Sequence, residues 1–335
     1  MKAWRLAPRR KMAALALAGA AFFLWVAVAV AAASTPALLR IKAATIVAPR
    51  LEPMETLYRD RLDYVVRERG VVTRSLARSW GAPASAGRRY VLMSADGAPD
   101  VFLRIIEDPR AQIPPPLTTF GWSGIEIIVD DPDRLFADLR GSPFRVIGEP
   151  APLGTIPSIR AFQVVGPAGE VLYLTSETGD RSKSILPLPN GRVGRVFIMV
   201  FAATDPRRTL DWYARSSSLT PGPLRTRPNA VLNDAQGLPS GTPLPIATAR
   251  LAQHGNLIQV DGYSEQAKPR AARRGHLPGA VAMTTFAVAN LEALNLEWIG
   301  APAVRPGVFY EGRRAATVRG PDGELIELVE EPATQ

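Results

Sequence analysis

The sequence predicts an α+β fold built from four tandem βαβββ units, which pair into two domains with curved mixed sheets. Three observations carry this prediction: a phrase that recurs at long range, a strand–cap–helix pattern that recurs between its copies, and short apolar strands that follow turns. The chain has 335 residues, of which 47% are hydrophobic. This length and composition suffice for two domains of ordinary size with packed cores.

The long-range repeat is a phrase of nine residues. Residues 166–174 read Gly-Pro-Ala-Gly-Glu-Val-Leu-Tyr-Leu, and residues 320–328 read Gly-Pro-Asp-Gly-Glu-Leu-Ile-Glu-Leu, at an offset of 154. Upstream, Tyr58 recurs as Tyr213 at an offset of 155. Two markers that share one period indicate a duplication of about 150 residues.

Helix starts mark the units inside each repeat. Asp131–Pro132 and Asp205–Pro206 each follow an alternating apolar strand and precede a helical pattern. Asp is a favoured N-cap, and Pro is favoured at the first helical position. Asn290 takes the cap position in the last unit, and Pro53 opens the helix of the first. The apolar stripe of that first helix is Met54, Leu57, Tyr58 and Leu62.

These markers define the boundaries of the units and domains. The predicted units start near Lys42, Phe120, Val193 and Val281. Their predicted closing strands are 100–106, 169–174, 255–260 and 323–329. Consecutive units are expected to pair, which gives one domain over 41–179 and a second over 193–332. The segment 180–192 is the predicted linker, because it is rich in Ser, Pro, Gly and Asn.

Residues 1–40 form a predicted leader outside the fold. Five basic residues precede an uncharged run from Met12 to Ala33. This pattern is typical of a signal peptide or an N-terminal membrane anchor. The length of the run favours a retained anchor, whereas Ala31–Ala33 fits a cleavage site. Either alternative predicts export, with the body in the periplasm or anchored to the inner membrane.

Composition excludes several kinds of site. The chain has no cysteine, which excludes disulfides, thiolate metal sites and a cysteine nucleophile. Five of the 40 basic residues precede Met12, so the net charge of +9 falls to about +4 for the body. The densest basic stretch, with Lys268, Arg270, Arg273 and Arg274, is interpreted as a solvated loop. We therefore expect no nucleic-acid partner.

The phrase at 320–328 and the strand–cap–helix segment ending at Trp212–Tyr213 resemble the closing and opening motifs of the vicinal-oxygen-chelate superfamily. That superfamily includes glyoxalases, bleomycin-resistance proteins and extradiol dioxygenases. The resemblance covers residues from about 42 to 331. It implies paired βαβββ units that enclose a cleft, and usually a divalent metal. The metal ligands are a His on an opening strand and a Glu or His four residues after the Gly of a closing strand.

Few of those positions carry a metal ligand in this chain. Glu327, four residues after Gly323, is the only matching position. The other closing positions carry Gln259, Tyr173 and Arg104. The opening strands offer Ala44 or Thr45, Ser123 or Gly124, Phe197 or Ile198, and Met283 or Thr285. We therefore predict no metal and no other cofactor, although a divalent ion stays an alternative. Glu327, Gln259, Tyr173 and Arg104 are the predicted ligand-binding residues.

The chain has two histidines, His254 and His276. Both fall in predicted loops and are interpreted as surface residues. His254 could approach Glu327 if the last strands of the third unit are shifted in register, and the pair would then act as a general base. Trp80, Trp122 and Trp298 are interpreted as packing residues.

Three functions remain open at this point. The first is an exported, metal-free binding module that holds a small apolar or aromatic ligand, as the bleomycin-resistance type does. The second is a lyase, isomerase or dioxygenase with a nonstandard site around Glu327, Gln259 and His254. The third is a membrane-associated structural or interaction scaffold. A small molecule is the expected partner, and a homodimer is compatible with the sequence.

Overall fold

The computed structural model describes residues 37–154 and 156–332. The predicted leader lies outside the described residues except for its last four, and strand pairing already begins at Leu38. Within the described ranges, no helix is both long enough and apolar enough to cross a membrane.

Helices are few and strands dominate. The strands are β1 (Leu38–Ala48), β2 (Tyr64–Val71), β3 (Arg89–Ala95), β4 (Phe102–Glu107), β5 (Gly121–Val129), β6 (Arg145–Leu153), β7 (Ile156–Val165), β8 (Val171–Glu177), β9 (Val193–Ala203), β10 (Arg225–Pro228), β11 (Pro243–Arg250), β12 (Leu257–Gly262), β13 (Ala280–Val288), β14 (Ala303–Val304), β15 (Arg314–Arg319) and β16 (Leu325–Glu330). The α-helices are α1 (Leu51–Leu62), α2 (Arg74–Ser79), α3 (Pro132–Leu139), α4 (Pro206–Ser217) and α5 (Ala230–Ala235).

The strands form two eight-stranded sheets. The first sheet has the order β14-β15-β16-β13-β1-β4-β3-β2, and the second has the order β10-β11-β12-β9-β5-β8-β7-β6. Each opening strand runs parallel to the closing strand of its own unit and antiparallel to another opening strand. The predicted α+β fold of four βαβββ units with mixed sheets is confirmed.

The units that share a sheet are not consecutive. The first sheet joins unit 1 to unit 4 through β1 and β13, and the second joins unit 2 to unit 3 through β5 and β9. The expectation that consecutive units pair is therefore wrong for the sheets. The linker lets β9 turn back against β5, which leaves β1 and β13 as the remaining partners. Each sheet thus combines residues from both halves of the duplication.

Most predicted caps are present. The Asp131 carboxylate accepts from Arg134 N at 3.0 Å, and Asp205 accepts from the first amides of α4. Asn290 caps a single 3₁₀ turn, Leu291–Ala293, rather than an α-helix. Helix α1 begins at Leu51, two residues before the predicted Pro53, and has no side-chain cap.

The repeated closing phrase has a structural role. Tyr58 of α1 donates to Glu170 Oε1 at 3.0 Å, so the helix of unit 1 is fixed to the closing turn of unit 2. Glu170 also accepts from the amide of Ala168 at 2.9 Å. A Cβ at Gly166 would collide with this carboxylate, and Gly169 has a φ of 79°. The two glycines therefore make room for a buried glutamate and for the turn that holds it.

The basic stretch is only partly solvated as predicted, because Lys268 and Arg274 are exposed whereas Arg270 and Arg273 pack against the body. Arg270 donates to the Val281 carbonyl at 2.6 Å. His276, whose side chain is 10% exposed, lies with Nδ1 2.9 Å from Asp108 Oδ2, and Arg273 lies 3.6 Å from the same carboxylate. Asp108 is buried, and a buried carboxylate requires such partners. The expectation of a surface position for His276 is therefore wrong.

Candidate functional site

Strand register brings four of the predicted ligand positions together on the first sheet. Thr45 of β1 pairs with Arg104 of β4, and Thr285 of β13 pairs with Glu327 of β16. Because β1 and β13 are neighbours at the centre of the sheet, these four side chains form one cluster. Its members come from units 1 and 4, at opposite ends of the chain.

An ion pair between Arg104 and Glu327 occupies the centre of this cluster. Arg104 Nη2 lies 2.8 Å from Glu327 Oε2, and the two residues are 2% and 1% exposed. The hydroxyl of Thr285 donates to the same carboxylate oxygen at 2.8 Å. Arg104 Nε donates to Thr45 Oγ1 at 3.0 Å. A buried charge pair is stable only when its remaining polar atoms are satisfied in this way.

Aromatic side chains complete the surroundings of the ion pair. Trp80 Nε1 and the Tyr310 hydroxyl each donate to Glu327 Oε1 at 2.7 Å. The Cζ atom of Arg104 lies 4.7 Å from the ring centroid of Trp80 and 4.8 Å from that of Phe309. These are cation–π distances. Trp80 was predicted to be only a packing residue, but it also hydrogen-bonds the central carboxylate.

The protonation states of the pair follow from its contacts. Burial alone would raise the pKa of Glu327, but the charge of Arg104 and the hydrogen bonds from Trp80 and Tyr310 outweigh it. The pKa of Glu327 is therefore below its ordinary value. Burial would lower the pKa of Arg104, but Glu327 and Tyr310 raise it. Glu327 is thus an ionised carboxylate with both oxygens engaged, which is a poor general base.

The donor set at the four positions does not fit a divalent metal. One carboxylate is available, it is already bound by a guanidinium, and the other donors are two threonine hydroxyls. The fixed positive charge of Arg104 would repel a second cation at that point. Across residues 37–154 and 156–332, no group of three or more His, Asp or Glu side chains is placed to hold an ion.

A cavity of about 330 Å³ opens beside the ion pair. Its apolar wall includes Leu76 of α2, Leu92 of β3 and Phe309. The loop after β14 closes it by reaching from one edge of the sheet to the other, where the amide of Val308 donates to Glu68 Oε2 of β2 at 3.1 Å. The cavity therefore lies inside the curl of the first sheet.

The second sheet contains the other two predicted residues. Gln259 of β12 pairs with Val200 of β9, and Tyr173 of β8 pairs with Glu126 of β5. On the opening strands, the sequence predicted residues 123 or 124 and 197 or 198 as the partners of these two positions. The observed partners, Glu126 and Val200, lie two or three residues further along the chain. Both parallel pairings, β5 with β8 and β9 with β12, are regular, so the difference lies in where each opening strand was placed along the sequence. The structure thus separates Gln259 and Tyr173 from Glu327.

Two buried carboxyl groups on the second sheet were missed. Burial raises the pKa of Glu126 to about 7 and that of Asp261 to about 6. Thr175 Oγ1 donates to Glu126 at 2.6 Å, and Gln259 Nε2 donates to Asp261 Oδ1 at 3.0 Å. Glu126 could have been found from the sequence, because it is the only charged residue in the strand Gly121–Val129.

His254 is exposed and lies in the turn before β12. Its Nε2 atom is 3.1 Å from the carbonyl oxygen of Ser184. Glu327 lies on the first sheet, where its side chain contacts Arg104, Trp80, Thr285 and Tyr310. The structure does not bring His254 and Glu327 together.

Comparison with solved structures identifies the fold. Glyoxalase I from Zea mays superposes with a TM-score of 0.58 at 13% identity, over 87% of this chain and 92% of that one. A proposed dioxygenase from Bacillus subtilis gives a TM-score of 0.57 at 12% identity, over 88% of this chain and 86% of that one. No family model matches the sequence, and no curated protein is similar to it in sequence. The two-module fold that the resemblance implied is confirmed by these structures.

Proposed function

We propose that this chain is an exported binding protein of the glyoxalase/bleomycin-resistance type, which holds a small apolar or aromatic ligand in the cavity of the first sheet without a metal. The observation that carries the proposal is the Arg104–Glu327 ion pair beside an apolar cavity of about 330 Å³. The pair uses the only carboxylate among the four clustered positions of the first sheet, Thr45, Arg104, Thr285 and Glu327. The cavity volume falls in the lower range of small-molecule sites.

The two residues that the enzyme alternative required as a base, Glu327 and His254, do not serve as one in this cavity. Glu327 is ionised and accepts hydrogen bonds at both oxygens, and His254 is placed elsewhere. The lining is instead dominated by apolar and aromatic side chains such as Leu76, Leu92 and Trp80. Such a lining supports binding of an apolar body by the hydrophobic effect.

Export is part of the proposal. It is supported by the basic head and the uncharged run from Met12 to Ala33, which lie outside the described residues. A periplasmic reporter fused to the C-terminus should be active in a bacterial host. Deletion of residues 2–33 should leave the reporter inside the cytoplasm and inactive.

The binding proposal is tested by calorimetry on the purified body with a panel of one- and two-ring aromatic compounds. We expect saturable binding that is unchanged by EDTA. Leu76→Phe should fill the cavity and weaken binding about tenfold or more. The matched control is Leu232→Phe in α5, which follows β10 beside the second sheet as α2 follows β2 beside the first. This variant should bind the compounds as the wild type does. Equal binding by both variants, or binding that EDTA abolishes, would contradict the proposal.

A further inference from the structure

We propose that the ligand is an organic anion with an apolar or aromatic body and a carboxylate, and that Arg305 binds the carboxylate. This inference rests on the proposed function, because it assigns the chemical class of the ligand to the same cavity. It starts from a buried cation in the cavity wall for which the protein supplies no counterion.

Arg305 lines the cavity and is 7% exposed. Its guanidinium makes a single long hydrogen bond, 3.5 Å from Nη1 to Ser75 Oγ. In the part of the chain that the structure describes, no carboxylate forms an ion pair with it. Buried arginines are normally paired, because the desolvation of an unpaired charge is costly. The remaining N–H donors of Arg305 can therefore bind an acceptor on a ligand in the cavity.

The backbone holds Arg305 in place before any ligand arrives. Its amide donates to the carbonyl of Arg313 at 3.0 Å, at the base of the loop that closes the cavity. The side chain meets Ser75 of α2 on the opposite side. The backbone amide thus fixes the point from which the side chain starts, and the planar donors of the guanidinium match the two oxygens of a carboxylate.

The other charges on the cavity wall do not cancel that of Arg305. Arg104 is neutralised by Glu327. Glu68 keeps its negative charge, because the Tyr90 hydroxyl and the Val308 amide that bind it are neutral, but it is partly exposed to solvent and no ion pair joins it to Arg305. The unmatched charge in the buried part of the wall is therefore positive, and it lies beside apolar side chains. An amphipathic anion matches both features.

The test compares acids with their uncharged amides. We expect 3-phenylpropionate and 2-naphthoate to bind the wild-type protein at least about tenfold more tightly than 3-phenylpropionamide and 2-naphthamide. Arg305→Gln should remove this preference while leaving affinity for the amides within about twofold. Arg314→Gln is the control, since Arg314 pairs with Glu292 outside the cavity, and it should keep the preference.

The outcomes separate the two proposals. If acids and amides bind the wild type equally, the anion inference is wrong and the binding function stands. If Arg305→Gln keeps the acid preference, Arg305 is not the anion site. If neither acids nor amides bind, the proposed function itself fails. The acid-to-amide ratio of the wild type tests the inference even if the Arg305 variant does not fold.

Discussion

Arg104 and Glu327 are buried together, and the cost of separating them is asymmetric. Removing one partner leaves an uncompensated charge in a low-dielectric site, whereas removing both leaves only packing changes. The exposed fractions of 2% and 1% place this pair among fully buried ones. The pair is therefore expected to behave as a unit in mutagenesis.

We expect Arg104→Met to lower the free energy of unfolding by about 3–5 kcal/mol, because Glu327 is left charged and buried. The double variant Arg104→Met/Glu327→Leu should recover much of that loss. Denaturant unfolding measures both. The control is Arg160→Met, which removes an exposed pair with Asp133 and should cost no more than about 1 kcal/mol. A double variant that is less stable than Arg104→Met alone, as additive losses would make it, would show that the pair is not coupled.

The residues of this site could be predicted from the sequence only in part. Motif spacing identified Glu327, because Gly323 sets the count, and Arg104 by the equivalent place four residues after Asp100. Their mutual contact could not be predicted, because they are 223 residues apart and meet only through the pairing of β1 with β13. Arg305 lies in a loop without a motif, so only the cavity reveals it.

At the scale of single elements, the two closing turns each contain a buried glutamate. Burial raises the pKa of Glu170 to about 7 and that of Glu324 to about 8. Glu324 accepts from the amide of Asp322 at 2.9 Å, as Glu170 does from Ala168. Each turn therefore prefers a protonated carboxyl group in the folded state.

This preference makes stability depend on pH. The ordinary carboxyl pKa is 4.5, so between about pH 4.5 and about pH 8 the folded chain retains a proton on Glu324 that the unfolded chain has released. Stability should therefore fall as pH rises through this range. Glu324→Gln should stabilise the protein by about 1 kcal/mol or more at pH 9 and change it little at pH 5. Unfolding at both pH values measures this effect, with the exposed Glu297→Gln as control. Equal effects at the two pH values would contradict it.

Elements that are determined by a few adjacent residues were predicted correctly from the sequence. The Asp-Pro caps of α3 and α4 and the four closing strands were predicted because a few adjacent residues fix them. Helix α2 was not predicted, although Thr73 caps it by accepting from Leu76 N at 3.1 Å. It is a six-residue insertion between β2 and β3 that the βαβββ pattern does not include.

At the scale of the whole molecule, the duplication and the sheets divide the chain differently. The duplication separates units 1 and 2 from units 3 and 4, whereas each sheet takes one unit from each half. The sequence showed the repeat but not this partnership. Which units share a sheet depends on which opening strands pair with each other. The sequence does not distinguish these pairings, because all four opening strands have similar apolar patterns.

This architecture predicts that neither half of the chain folds alone. In residues 37–179 or 193–332 expressed separately, β1 and β5, or β9 and β13, would lose their antiparallel partners and expose apolar strand edges. We expect the separate halves to be unfolded or self-associated by circular dichroism and light scattering, and to form a folded one-to-one complex when co-expressed. Cleavage of the intact protein at Leu188, which is 61% exposed in the linker, is the control and should leave both sheets folded. A half that unfolds cooperatively as a monomer would show that the pairing across halves is not required for folding.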